Sequence, residues 1–299
     1  MNFSLPYHAP RLQPWVTEES ARAQVTVLVR REDENHPTIS GNKWWKLKYN
    51  LMYALDKQHD TILTFGGAFS NHIYSTAAAC QALGLKSVGI IRGEETLPLN
   101  STLAFAKSCG MELHYISREA YLKKTDETYL QTLQKEFGPC FIIPEGGTNS
   151  LAIRGTEEMG TEILKTDFDY CCLPVGTGGT VAGIINAFNG QRKVIGIPVL
   201  KDADFLNAEI KKYLKSNFSN WHLELGYHFG GYAKTTKELH NFVEQTRAQG
   251  IPTEFVYSAK LFWAVHDLIK KNFFERGSTI LVVHTGGLRP QPQSSITLL

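Results

Sequence analysis

The stretch Pro174-Val175-Gly176-Thr177-Gly178-Gly179-Thr180-Val181-Ala182-Gly183 passes from an apolar, β-branched run through a glycine-rich turn into the start of a helix. Glycines in such a turn let successive backbone N–H groups converge on an anion, and the dipole of the following helix adds to the attraction. Thr177 and Thr180 add hydroxyl donors, so a phosphate is the natural guest. No Gly-Lys-Ser/Thr follows, which excludes a Walker A loop, and the spacing differs from the G-x-G-x-x-G dinucleotide turn. A tight turn that needs glycine only for positive φ is the plainer alternative.

Working outward, apolar β-branched runs recur at Val25–Val29, Thr61–Phe65, Ser87–Ile91, Cys140–Ile143, Tyr170–Val175, Val194–Val199 and Thr279–His284, separated by helix-length segments. This rhythm predicts an α/β fold with mostly parallel sheets and flanking helices. Four of the runs enter small or glycine-rich turns: Gly66-Gly67-Ala68, Glu145-Gly146-Gly147-Thr148, Gly176 to Thr180, and Thr285-Gly286-Gly287. Ligands of doubly wound proteins bind beyond the carboxyl ends of strands, so these are four candidate ligand loops. The loop Phe65 to His72 leads into a helix carried by Ile73, Ala77, Ala78 and Leu83. Ser70 or Asn71 either caps that helix or serves a ligand, Asn71 by hydrogen-bonding an oxygen and Ser70 by handling a proton.

A second kind of chemistry sits in Ser40-Gly41-Asn42-Lys43-Trp44-Trp45-Lys46-Leu47. Trp44, Leu47, Leu51, Ala54 and Leu55 mark a helix, with Ser40 and Asn42 as plausible caps. Lys43 therefore lies at the positive end of a helix dipole, which disfavours its ammonium. An amine that loses its proton readily suits imine formation; an ordinary solvated lysine at a helix start is the alternative.

Composition narrows the classes. At 299 residues, 42% hydrophobic and 20% charged, the chain can bury a large core and predicts two lobes. Lys plus Arg number 31 against 29 for Asp plus Glu, so no global field argues for nucleic acid or an anionic membrane. The opening MNFSLPYHAPRLQPW lacks a basic segment followed by an apolar one, and no run approaches about 18 apolar residues. A cytoplasmic protein is the expectation. Cys80, Cys109, Cys140, Cys171 and Cys172 lack C-x-x-C spacing and read as reduced core thiols, with no metal site expected.

Gly41-Asn42-Lys43 with Lys46-Leu47, Gly66-Gly67 with Ser70-Asn71-His72, Gly176 to Thr180, Gly231-Tyr232, Val256-Tyr257-Ser258-Ala259-Lys260 and His284-Thr285-Gly286-Gly287 follow one another in a familiar order. Together they resemble the pyridoxal-phosphate enzymes of the 1-aminocyclopropane-1-carboxylate deaminase and D-cysteine desulfhydrase family, over nearly the whole chain. The resemblance implies a tryptophan-synthase-β-like fold (fold type II), with residues 51–150 as the small lobe and residues 1–50 plus 151–299 as the large one. It also implies a cofactor in the cleft between lobes, and homologues of this kind are commonly homodimers.

Carried over residue by residue, the resemblance makes Lys43 the amine that holds pyridoxal 5'-phosphate and shuttles the α-proton, with Lys46 as runner-up. Asn71 would face the phenolic oxygen, and Gly176, Thr177, Gly178, Gly179 and Thr180 would bind the phosphate. Tyr257 would pack by the pyridine ring, while Tyr232, Ser70 and His72 would serve the substrate. Ser258 matches the residue facing the pyridine nitrogen, where cyclopropane deaminases carry glutamate. A neutral serine cannot keep that nitrogen protonated, so prompt loss of a β-substituent is favoured over chemistry needing a long-lived carbanion. Thr285 points the same way, since the cyclopropane deaminases tend to carry leucine there. The implied activity is a D-cysteine desulfhydrase-like lyase or deaminase acting on a small amino acid; alternatives are a cyclopropane deaminase, a non-catalytic cofactor-binding or regulatory protein, and a nucleotide-binding protein. The chain departs from the family pattern where Trp44-Trp45 replaces a small-plus-arginine pair, where Ile73-Tyr74-Ser75 stands in place of an arginine, and at Leu288-Arg289. The two indoles beside Lys43 are expected to reshape the pocket.

Overall fold

The computed structural model describes residues 4–288, so Arg289 lies outside the described residues. The chain opens with β1 (Leu12–Pro14), α1 (Glu18–Ala23), β2 (Thr26–Arg30) and α2 (Asn42–Asp56). It continues through β3 (Thr61–Gly67), α3 (Asn71–Leu83), β4 (Lys86–Arg92), α4 (Ser101–Ser108), β5 (Met111–Ile116), α5 (Arg118–Tyr121), α6 (Glu127–Phe137) and β6 (Phe141–Ile143). It then runs α7 (Ser150–Ile163), β7 (Tyr170–Val175), α8 (Gly179–Phe188), β8 (Lys193–Pro198), α9 (Leu206–Lys211), β9 (Trp221–Leu223), α10 (Lys237–Ala248), α11 (Ser258–Lys270) and β10 (Thr279–Val283).

The strands sort into two sheets. Four form an all-parallel sheet in the order β5-β4-β3-β6, and six form a second sheet in the order β1-β2-β10-β7-β8-β9, where only β1 pairs antiparallel. All seven strands expected from apolar runs form. The additional β1, β5 and β9 are short or carry polar residues such as Glu112, His114 and His222, which broke the pattern. The order reverses between β3 and β6 in one sheet and between β7 and β10 in the other. Loops diverge on either side of such a reversal and leave a crevice at the carboxyl ends. The four glycine loops follow these four strands.

Burial follows the alternation of strand side chains. In the central β7, Cys171, Leu173 and Val175 join a core shared with α2, α3, α7 and α8, while Tyr170 and Cys172 face a second core with α11. All five cysteines are free thiols. Helix α7 packs between α2 and α8, and Gly155 makes this possible: a Cβ there would lie 1.9 Å from the Trp45 carbonyl oxygen. Among the described residues no helix is long and apolar enough to cross a membrane.

The expectation for Trp44 and Trp45 is overturned. Both indoles are buried in the first core against Tyr7, with ring centroids 4.6 and 5.1 Å from it. Trp44 Nε1 donates to the Pro6 carbonyl at 2.9 Å, and Trp45 Nε1 donates to Glu32 Oε2 at 3.0 Å. A helix turns its side chains through about 100° per residue, so the residues after Lys43 point away from its cleft. Neither indole lines it.

Candidate active site

A cleft of about 240 Å³ opens where the carboxyl ends of the two sheets face each other. Its walls come from Lys43 and Lys46 on α2, Ser70, Asn71 and His72 after β3, Glu145 and Gly146 after β6, Gly176 to Thr180 after β7, and Tyr232, Tyr257 and Thr285. Of the residues given a catalytic, cofactor or substrate role above, all but one line this cavity.

The exception is Ser258. It is fully buried at the first position of α11 and does not line the cleft. Its Oγ accepts from the Glu254 N–H at 2.8 Å, while Glu254 Oε1 accepts from the N–H groups of Tyr257 and Ser258 at 2.7 and 2.8 Å. The serine is used in closing the turn that starts the helix. Thr285, two residues beyond β10, does line the cleft.

Lys43 is the second residue of α2, whose start has no side-chain cap: the expected capping by Ser40 or Asn42 is absent, and Gly41 occupies the cap position with φ 71°. Only glycine suits this position, because a Cβ would also fall 1.9 Å from the Thr285 carbonyl oxygen. Asn42 instead donates from Nδ2 to Thr180 Oγ1 at 2.8 Å, tying the helix start to the phosphate-type loop.

The two lysines differ in their surroundings. Lys46 is buried, and its Nζ donates to the Gly146 carbonyl at 2.6 Å and to Thr148 Oγ1 at 2.8 Å, with Thr177 Oγ1 at 3.5 Å. Burial and then the neighbouring Lys43 push its pKa well below the ordinary lysine value. Lys43 is half-buried, with Asn42 Oδ1 at 3.3 Å, and loss of water alone pushes it down to about 8. Lys46 is surrounded by acceptors and aimed at the 176–180 loop. Lys43 is the amine open to a guest.

His72 is buried, and its tautomer follows from its neighbours. Thr64 Oγ1 donates to the Ile143 carbonyl at 2.8 Å and so accepts from His72 Nε2, also at 2.8 Å. The proton is therefore on Nε2, and among the described residues Nδ1 is a buried lone pair without a partner. Burial, then Lys43 and Lys46, hold the ring neutral. Ser70 caps α3, its Oγ accepting from the Ile73 N–H at 3.3 Å, and the residue lines the cleft. Where an arginine was expected after His72, Tyr74 stacks on Phe105 at 3.9 Å between centroids.

Tyr257 packs against Gly176, and Tyr232 stands edge-on to it at 6.1 Å. Burial, then Tyr232 and Glu254, push the Tyr257 phenol well above its ordinary value, so it stays protonated. Arg92 and Leu200 also line the cleft and escaped sequence reading. Arg92 ends β4, one residue beyond the apolar run Ser87–Ile91, where the carboxyl-end rule could have found it.

The model of the pyridoxal-phosphate-dependent enzyme family matches residues 15–286. The chain belongs to this family. It is 31% identical over 290 residues to the bifunctional D-cysteine desulfhydrase/1-aminocyclopropane-1-carboxylate deaminase, mitochondrial, of Arabidopsis thaliana, covering 87% of this chain and 72% of the relative. It is 26% identical over 297 residues to the 1-aminocyclopropane-1-carboxylate deaminase of Bradyrhizobium diazoefficiens, covering 88% and 87% of the two chains. The crystal structure of an ACC deaminase homologue superposes with TM-score 0.82 at 28% identity, over 95% of this chain and 91% of that one. The fold is that of the type II pyridoxal-phosphate enzymes, as expected from the sequence, and the protein is a pyridoxal-phosphate-dependent enzyme. The cleft fits the cofactor: it joins an accessible amine of lowered pKa at Lys43, a backbone cradle at the start of α8, and the unpartnered acceptor of His72.

Proposed function

We propose that the enzyme is a lyase of the D-cysteine desulfhydrase type, converting a small amino acid with a β-leaving group into a keto acid. With D-cysteine and water the products are pyruvate, ammonium and hydrogen sulfide. Pyridoxal phosphate, when bound, supplies an aldehyde for the substrate amine and an electron sink for its α-carbon.

The chain's own residues do the rest. The N–H groups of the 176–180 loop and the ammonium of Lys46 would hold the phosphate, whose charge relieves the cation now buried among neutral oxygens. Lys43 would hold the aldehyde carbon through its amine and, once released, accept the α-proton at Nζ. Ser70 and Asn71, at the start of α3, would orient the substrate carboxylate. Tyr257, with its protonated phenol, and Tyr232 would border the reacting atoms, and a phenol there would deliver a proton to the departing sulfur.

One observation carries the choice of β-elimination over ring opening. The wall formed by Tyr257 and Thr285 offers hydroxyls, and the nearby Glu254 carboxylate is spent on the N–H groups of Val256, Tyr257 and Ser258. No carboxylate of that wall is free to keep a pyridine nitrogen protonated. The test is keto-acid release from D-cysteine, L-cysteine, D-serine and the cyclopropane amino acid. Turnover of D-cysteine is expected; turnover of the cyclopropane substrate alone would overturn the reading. That arm matters because the Arabidopsis relative bears both names. Cofactor absorbance without keto acid from any substrate would mark a non-catalytic binder.

A further inference from the structure

Lys260 is fully buried in the first turn of α11, and among the described residues no carboxylate lies within ion-pair distance of its ammonium. Its Nζ donates to the carbonyls of His228 at 2.9 Å and Gly231 at 2.7 Å. These carbonyls open two consecutive reverse turns: the Gly231 N–H donates to His228 at 3.0 Å, and the Lys234 N–H donates to Gly231 at 3.1 Å. Tyr232, in the cleft wall, lies inside the second turn.

This double turn is not a conformation the backbone holds unaided. Phe229, Gly230, Gly231 and Ala233 have φ of 53°, 92°, 120° and 57°, and two of these four are not glycine. Helix α11 grips it twice, through Lys260 and through Trp263, whose ring meets Phe229 edge-on at 5.8 Å. A cation in the first turn of a helix opposes the dipole, so Lys260 does nothing for the helix itself. The same helix start carries Tyr257, the ring that faces Tyr232.

We propose that Lys260 is a positioning residue, fixing the double turn 228–234 to the start of α11 so that Tyr232 meets Tyr257 across the substrate cleft. This rests on the reading of Tyr232 as a neighbour of the substrate, and the test separates the two. Holoenzyme carrying Lys260→Met, Tyr232→Phe or both is assayed for kcat/KM with D-cysteine, and trypsin cleavage after Lys234 is timed in each. Lys260→Met should lower kcat/KM about tenfold, with little further loss in the Tyr232→Phe background. Cleavage after Lys234 should quicken by about fivefold or more as the turn loosens. Lys260→Arg should restore most of both readouts, and Lys260→Gln replaces the methionine variant if that one does not fold. Losses that multiply in the double variant, or an unchanged cleavage rate, overturn the proposal. If the wild type does not turn over D-cysteine, the substrate reading fails by itself, while the cleavage rate still decides whether Lys260 holds the turn.

Discussion

The loop after β7 and the loop after β3 are built alike, a strand, glycines and a helix start, yet they are held differently. At residues 176–180, Thr177 Oγ1 meets Thr148 Oγ1 at 2.6 Å, Thr180 Oγ1 accepts from Asn42, and Gly178, Gly179 and Thr180 are buried although Thr177 is exposed. At residues 66–70, Phe69 is 58% exposed, and Gly67, Ala68 and Ser70 are half-buried. A loop cross-linked on several sides suits a group that stays, and a loop open to water suits one that comes and goes. On the function proposed above, the cofactor's phosphate belongs to the first and the exchanging substrate to the second. Lys43, on the helix between them, is the link.

The sharpest way to break this division is to remove the link. Lys43→Ala should lower keto-acid release by about 10³-fold or more, since it removes both the covalent hold and the base. Cofactor should still bind through the intact 176–180 loop, and borohydride trapping followed by peptide mapping should find no labelled lysine. A label at Lys46 with activity preserved would exchange the roles of the two lysines. Lys46→Met tests the first loop: a lost charge-assisted bond should weaken cofactor retention by about 10- to 100-fold on dialysis, with KM for the substrate far less affected. Ser70→Ala tests the second loop and should do the reverse, raising KM about tenfold while cofactor retention stays as in the wild type. It also removes a helix cap, so a loss of about 1 kcal/mol in stability is expected.

pH sharpens the same contrast. Lys43 titrates near 8 because burial penalises its ammonium, so capture of pyridoxal phosphate by the apoprotein should rise through about pH 8 and level off above. The sign for stability follows. The folded chain releases this proton near 8 and the unfolded chain near 10.5, so burying the cation costs stability below pH 8, and that cost fades between 8 and 10.5. Capture that keeps climbing past pH 10 would mean that Lys43 is an ordinary solvated amine.

Much of this is legible in the amino-acid sequence. Seven apolar β-branched runs predict seven strands, because parallel strands buried on both faces must be apolar throughout, and the four that end in glycine-rich turns predict the edge that binds ligands. What the sequence could not convey was direction. Ser258 reads as a cleft residue, but the N–H groups at the start of α11 need a partner, and Glu254 with Ser258 supplies it. Lys46 reads as a second candidate amine; only the fold brings the Gly146 carbonyl, a hundred residues away, onto its ammonium. Arg92 gains its place from sheet register rather than from any local motif.

Trp44 gives the smallest expected effect and separates core from cleft most cleanly. Adjacent to Lys43 in sequence, it belongs energetically to Tyr7 and Pro6. Trp44→Phe keeps an aromatic ring in the same core and removes the indole N–H that donates to the Pro6 carbonyl. A neutral hydrogen bond of this kind contributes about 1 kcal/mol, so the melting temperature should fall by a few degrees while kcat and KM stay within about twofold of wild type. A change in KM or substrate preference would return the indole to the pocket and refute its assignment to the core. Unchanged kinetics would mean that one residue of helical rotation divides the reactive amine from the packing beside it.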